Sequence, residues 1–193
     1  MKEEHTMSKI AVYFPGIGYH CDKPLLYYGR KIARELGYEN DRNINYTYKA
    51  GNIRGDQEKM EAAYKVLFSQ AEASLADVVW NEYDDVLFVS KSIGTIIAAS
   101  YAEKYHLEQA KHILYTPLAQ TFLSAPKNAA AFIGTADPWS DIDEIIRLAE
   151  TNHIPLAVYE GYNHSLECGD TMKNLEILTD VMRRTFDFLR GAF

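Results

Sequence analysis

The sequence predicts an α/β fold, a three-layer α/β/α sandwich around a mostly parallel central sheet of about six strands. Two observations carry this expectation. Short apolar runs rich in β-branched and aromatic residues alternate with longer segments whose apolar residues recur at helical spacing. The four most distinctive loops, after Phe14, Val89, Ile133 and Tyr159, each follow such a run, which in a parallel sheet places them at one edge.

In chain order, Met1 to Ser8 is polar and reads as a frayed leader, so the domain is expected over residues 9–193. Ile10 to Phe14 is a short strand leading into Pro15-Gly16-Ile17-Gly18-Tyr19. Asp22 is placed to cap a helix from about Lys23 to Leu36, with Pro24 in its first turn and Gly37 closing it. Ile44 to Lys49 alternates as a strand would, and Gln57 to about Ala76 is a long amphipathic helix. Val86 to Val89 reads as a buried strand, followed by a small-residue helix to about Tyr105. Strands are then expected at Lys111 to Tyr115, Ala129 to Ile133 and Pro155 to Tyr159, with helices at Ile142 to Glu150 and Met172 to Leu189.

Chemistry concentrates in three of the strand-end loops. Ser92 lies at the apex of Ser90-Lys91-Ser92-Ile93-Gly94, which differs from the G-x-S-x-G nucleophile elbow by one serine for glycine. A strand that reverses sharply into a helix needs small residues two before and two after the apex, and it leaves the Ile93 amide at a free helix N-terminus. A serine hydroxyl needs a base, and a histidine base needs a carboxylate to hold its tautomer. The sequence supplies Asp137 and then His164, each after a strand. Asp141 and Asp143 are rival acids, but Asp137 is nearest its strand end and Asp141 is placed to cap the following helix. Taken singly, Ser92 could be a helix cap, Asp137 a turn former and His164 a loop residue. Three such coincidences in the right order favour a triad.

The elbow, the acid loop Gly134-Thr135-Ala136-Asp137-Pro138-Trp139 and the histidine loop Gly161-Tyr162-Asn163-His164-Ser165-Leu166 resemble those of the α/β-hydrolases, in particular small carboxylesterases and dienelactone-hydrolase-like members. The resemblance runs from about Ile10 to the C-terminus. It implies a serine hydrolase acting on a small ester-type substrate, with Ser92 as nucleophile, His164 as base and then acid, Asp137 as orienting carboxylate, and the amides of Ile17 and Ile93 as the oxyanion hole. Thioester and lactone cleavage are variants within that class. Gly16, Gly18, Tyr19, His20 and Trp139 are expected to line the substrate site. The intervals between these motifs leave no room for an inserted cap, so the site is expected to be open. Ser90 and Pro15, the latter where the family carries histidine, depart from the pattern and motivate a second reading, a non-catalytic binding protein on the same fold.

Composition narrows the partners. The net charge of −7 argues against a nucleic-acid binder, and no apolar stretch is long enough for a signal peptide or a membrane span. Cys21 and Cys168 form neither a disulfide framework nor a metal motif. A cytoplasmic enzyme with a small-molecule substrate and no metal or organic cofactor is the expectation. His5, His20, His106, His112 and His153 are read as surface or boundary residues, with His20 near enough to the first loop to line a pocket.

Overall fold

A computed structural model describes residues 7–49, 51 and 53–192. Six parallel strands form one sheet in the order β2-β1-β3-β4-β5-β6. They are β1 (Lys9–Phe14), β2 (Asn40–Asn43), β3 (Asp85–Lys91), β4 (Lys111–Tyr115), β5 (Asn128–Gly134) and β6 (Leu156–Tyr159). The helices are α1 (Pro24–Glu35), α2 (Gln57–Ser74), α3 (Ile93–Lys104), α4 (Ile142–Thr151) and α5 (Thr171–Leu189).

Strand periodicity sorts the core into two faces. Ala11, Tyr13, Leu87, Val89, Ile113 and Tyr115 point to the layer formed by α1 and α5. Ile10, Val12, Phe14 and Phe88 point the other way, against α2 and α3, while Leu114, Ala131 and Ile133 meet α4. The outcome is the three-layer sandwich the alternation predicts. Crossovers from β1 through α1, from β2 through α2 and from β3 through α3 are helical. Between β4 and β5 a short 3-10 segment, Ala119–Ser124, replaces a helix.

Several local expectations change. The second strand is Asn40–Asn43, four residues before the alternating stretch. Ile44 still donates its amide to the Tyr13 carbonyl at 3.0 Å, after which the chain leaves the sheet. Thr47 then exchanges two hydrogen bonds with the Gln70 side chain on α2, 2.8 and 2.9 Å, so side-chain partners replace a strand neighbour. Asp22 does not cap α1. Lys23 occupies that position without a side-chain bond, the Leu25 amide donates to the Tyr19 hydroxyl at 3.1 Å, and Asp22 pairs with Arg30 at 3.1 Å.

His112 is buried rather than on the surface, packed edge-on against Phe88, and burial pushes its pKa down to about 4. His106 and His153 are exposed and take positive φ at helix ends. His5 and most of the expected leader lie outside the described residues, but Ser8 is fixed, donating its amide to Asp84 Oδ2 at 2.8 Å.

Candidate active site

The elbow forms as its spacing requires. β3 ends at Lys91, α3 starts at Ile93, and Ser92 between them holds φ 58° and ψ −131°, a conformation L residues rarely adopt. Two neighbours pin it there. The Ser92 amide donates to the Tyr115 carbonyl at the end of β4, 3.0 Å, and Thr95 Oγ1 donates to the Ser92 carbonyl at 2.7 Å. A Cβ at Gly94 would overlap the Phe14 carbonyl and lie 2.5 Å from the Pro15 oxygen, so only glycine lets α3 approach β1 this closely. Ser90 is fully buried, and its hydroxyl donates to the Ile113 carbonyl at 3.1 Å. The serine that departs from the pattern is thus small enough and hydrogen-bonded.

The other two loops are fastened to each other. Ala136 donates its amide to the Tyr162 carbonyl at 2.9 Å, and the Gly161 amide donates to Thr135 Oγ1 at 2.8 Å. Gly134 lies against the Tyr162 backbone where no Cβ fits. Within the second loop Asn163 Oδ1 accepts from the amides of Ser165 and Glu167, at 2.7 and 3.2 Å.

These constraints bring the three expected residues together. Asp137 Oδ2 lies 2.6 Å from His164 Nδ1, and His164 Nε2 lies 2.7 Å from Ser92 Oγ. The Asp137 side chain is wholly buried, and its other oxygen accepts the Trp139 amide at 2.9 Å. A carboxylate can only accept, so Nδ1 carries the proton and Nε2 is left to accept from the serine hydroxyl. Burial lowers the pKa of His164 below its ordinary value; the hydrogen bond to Asp137 opposes this and the nearby Lys91 amine reinforces it. Burial thus favours the neutral imidazole over the imidazolium. Asp141 instead accepts the Glu144 amide at 3.1 Å and caps α4.

Ser92 and His164 open on a cavity of about 320 Å³. Ile17, Gly18, Tyr19 and Ile93 border it on one side, Ile53 and Met60 on another, and the Trp139 ring lies tilted beside the His164 ring, centroids 5.6 Å apart. Ile93 opens α3, so its amide has no carbonyl one turn back to serve. Ile17 lies in a tight turn closed by the Tyr19 amide on the Gly16 carbonyl, 3.2 Å. Among the described residues the Ile17 amide has no backbone partner.

Gly16 and His20 do not border this cavity, contrary to expectation. The turn sends them to a neighbouring groove with Tyr46 and Tyr48. Gly16 serves the site from behind, because a Cβ there would lie 3.0 Å from Ser92 Cβ. His20 is exposed and accepts the Asp22 amide at 3.3 Å. The sequence reading missed Lys91 and Lys23, which both border the cavity. The alternation Leu87, Val89, Lys91 was the available signal for the first. Cys21 and Cys168 are both free thiols.

Neither a protein-family model nor a curated protein matches this sequence. Solved structures do match in shape. A putative hydrolase of the α/β superfamily from Xanthomonas campestris superposes with TM-score 0.64 at 14% identity, covering 96% of this chain and 99% of that one. An α/β serine hydrolase without lid from the same organism gives 0.56 at 16% identity, covering 95% and 85%. An esterase from Pyrococcus furiosus gives 0.65 at 11% identity, covering 96% and 83%. The chain has the α/β-hydrolase fold. No cap covers this α/β-hydrolase sheet among the described residues, and Ser92, Asp137 and His164 all stand at the carboxyl ends of its strands. Among the same residues no helix is long and apolar enough to cross a membrane, and no group of His, Cys, Asp and Glu is arranged to hold a metal ion.

Proposed function

We propose that this protein is a serine hydrolase that cleaves small ester-type substrates through an acyl-enzyme on Ser92. The observation that carries the reading is the unbroken hydrogen-bonded chain from Asp137 through His164 to Ser92 beside an open cavity. Nucleophile, base and orienter at these distances are what acyl transfer requires. The names of the structural neighbours, hydrolase and esterase, agree with it.

In the first half-reaction Ser92 Oγ attacks the ester carbonyl as its proton passes to His164 Nε2. Asp137, already bound to Nδ1, stabilises the imidazolium that forms. The charge developing on the carbonyl oxygen is met by the amides of Ile93 and Ile17, fixed in place before the reaction. Collapse of the tetrahedral intermediate breaks the bond to the alcohol oxygen, which takes the proton back from His164. Water then repeats the sequence on the acyl-enzyme and releases the acid.

Incubation with a fluorophosphonate probe tests the mechanism directly. Labelling at Ser92, absent from Ser92→Ala and strongly slowed in His164→Ala, is expected. A protein whose Ser92 stays unlabelled would instead be a binding protein on this fold.

A further inference from the structure

Lys91 is a charge-bearing side chain that the proton relay leaves unused. It ends β3, one residue before Ser92, and is 1% exposed. Its stem passes beneath the Gly16–Tyr19 turn, where a Cβ on Gly16 would lie 3.6 Å from Lys91 Cδ. Its Nζ sits 5.0 Å from the centre of the Tyr19 ring, and Lys23 Nζ, arriving from the start of α1, sits 5.3 Å from the same ring. Among the described residues neither amine has a carboxylate or hydrogen-bond acceptor in contact.

That arrangement is costly unless something else completes it. Burial pushes the Lys91 amine down to about 7; Asp137 opposes this, Lys23 adds to it, and Glu167 opposes it. Asp137 is not in contact with it: among the described residues its oxygens are bonded to His164 and the Trp139 amide, and no hydrogen bond or ion pair joins it to Lys91. Among the described residues the cavity is bordered by two lysines and by no Asp or Glu, in a chain whose net charge is −7. An ammonium held in a low-dielectric wall at the border of a cavity attracts an anion more strongly than a surface lysine does.

We propose that Lys91 and Lys23 form a subsite for a carboxylate carried by the substrate, so that the preferred esters are singly anionic ones. Both residues border the cavity that the substrate enters, so a carboxylate there meets two cationic side chains. Half-esters of short dicarboxylic acids carry the anion on the acyl side, and acyl esters of hydroxy acids carry it on the alcohol side. The proposal rests on the hydrolase reading of Ser92.

Two matched pairs test it: monomethyl against dimethyl glutarate, and acetoxyacetate against its methyl ester, with kcat/KM measured for each. In at least one pair the parent protein is expected to favour the anion by about tenfold or more. That ratio should fall about tenfold or more in Lys91→Met and in Lys23→Gln, the second being a partly exposed position that tolerates change if the first misfolds. A parent ratio of one or less in both pairs, or a preference that survives both substitutions, overturns the subsite while leaving the hydrolase reading intact. If no ester is turned over and Ser92 is not labelled by fluorophosphonate, the hydrolase reading fails by itself. Calorimetric titration with glutarate then decides the subsite: binding lost in Lys91→Met supports it, and no binding overturns it.

Discussion

Replacing Lys91 by methionine should make the protein more stable at neutral pH. An ordinary lysine titrates at 10.5, whereas burial holds this one near 7. The folded pKa is depressed below the unfolded value, so the unfolded chain binds the extra proton and the linkage works against folding. The penalty is full below about pH 7, shrinks between 7 and 10.5, and is absent above 10.5. At about 1.4 kcal/mol for each pH unit, its ceiling at pH 7 is roughly 4 kcal/mol. Methionine keeps the unbranched stem and removes the amine, so most of the buried packing survives. The assay is urea unfolding of parent and variant in parallel from pH 6 to pH 10. Every other titrating group is common to both, so the difference between their free energies reports Lys91 together with its influence on the neighbouring His164. The expected result is a variant ahead by a few kcal/mol at pH 7, with its lead narrowing as pH rises. A variant equal to or weaker than the parent at pH 7, or a lead that does not vary with pH, would refute the reasoning.

Ester hydrolysis should rise with pH through an apparent pKa below 6.5 and then level off, because burial favours the neutral base form of His164; a pH profile of kcat/KM with its acid limb above 6.5 would contradict this. Gly94→Ala should lose about 3 kcal/mol or more of stability, read from the urea midpoint, since the new Cβ overlaps the Phe14 and Pro15 carbonyls. Tyr13→Phe should raise the melting temperature, by about 2 to 4 °C for each kcal/mol gained, because the Tyr13 hydroxyl is buried without a partner among the described residues.

The elbow was readable because everything that forms it is local. An apolar run, an apex serine and small flanking residues specify a strand, a turn and a helix without reference to the rest of the chain. Asp137 could be chosen over Asp141 on local grounds too, since Asp141 directly precedes its helix and caps it, whereas Asp22, placed by the same argument before α1, pairs with Arg30 instead. β2 was misplaced because it is an edge strand of four polar residues, Asn40 to Asn43, held by one neighbour and lacking any apolar period. The alternating stretch after it turns out to be tied to a side chain on α2, a partner that no periodicity reveals. Ser90 was read as a departure because it stands where the pattern has glycine; the acceptor that accommodates its hydroxyl, the Ile113 carbonyl, lies on a strand 23 residues away. The lining role of His20 failed for a related reason: where a side chain points after a tight turn depends on the turn's geometry rather than on closeness in sequence.

The bonds that join the loops after β5 and β6 have a further implication. They turn Asp137 and His164 into one preassembled cassette, carried on strands that β4 separates from the strand leading to Ser92. Changes to the wall formed by Ile53 and Met60, which touches neither residue, can therefore reshape what the cavity admits while the spacing between imidazole and hydroxyl is kept.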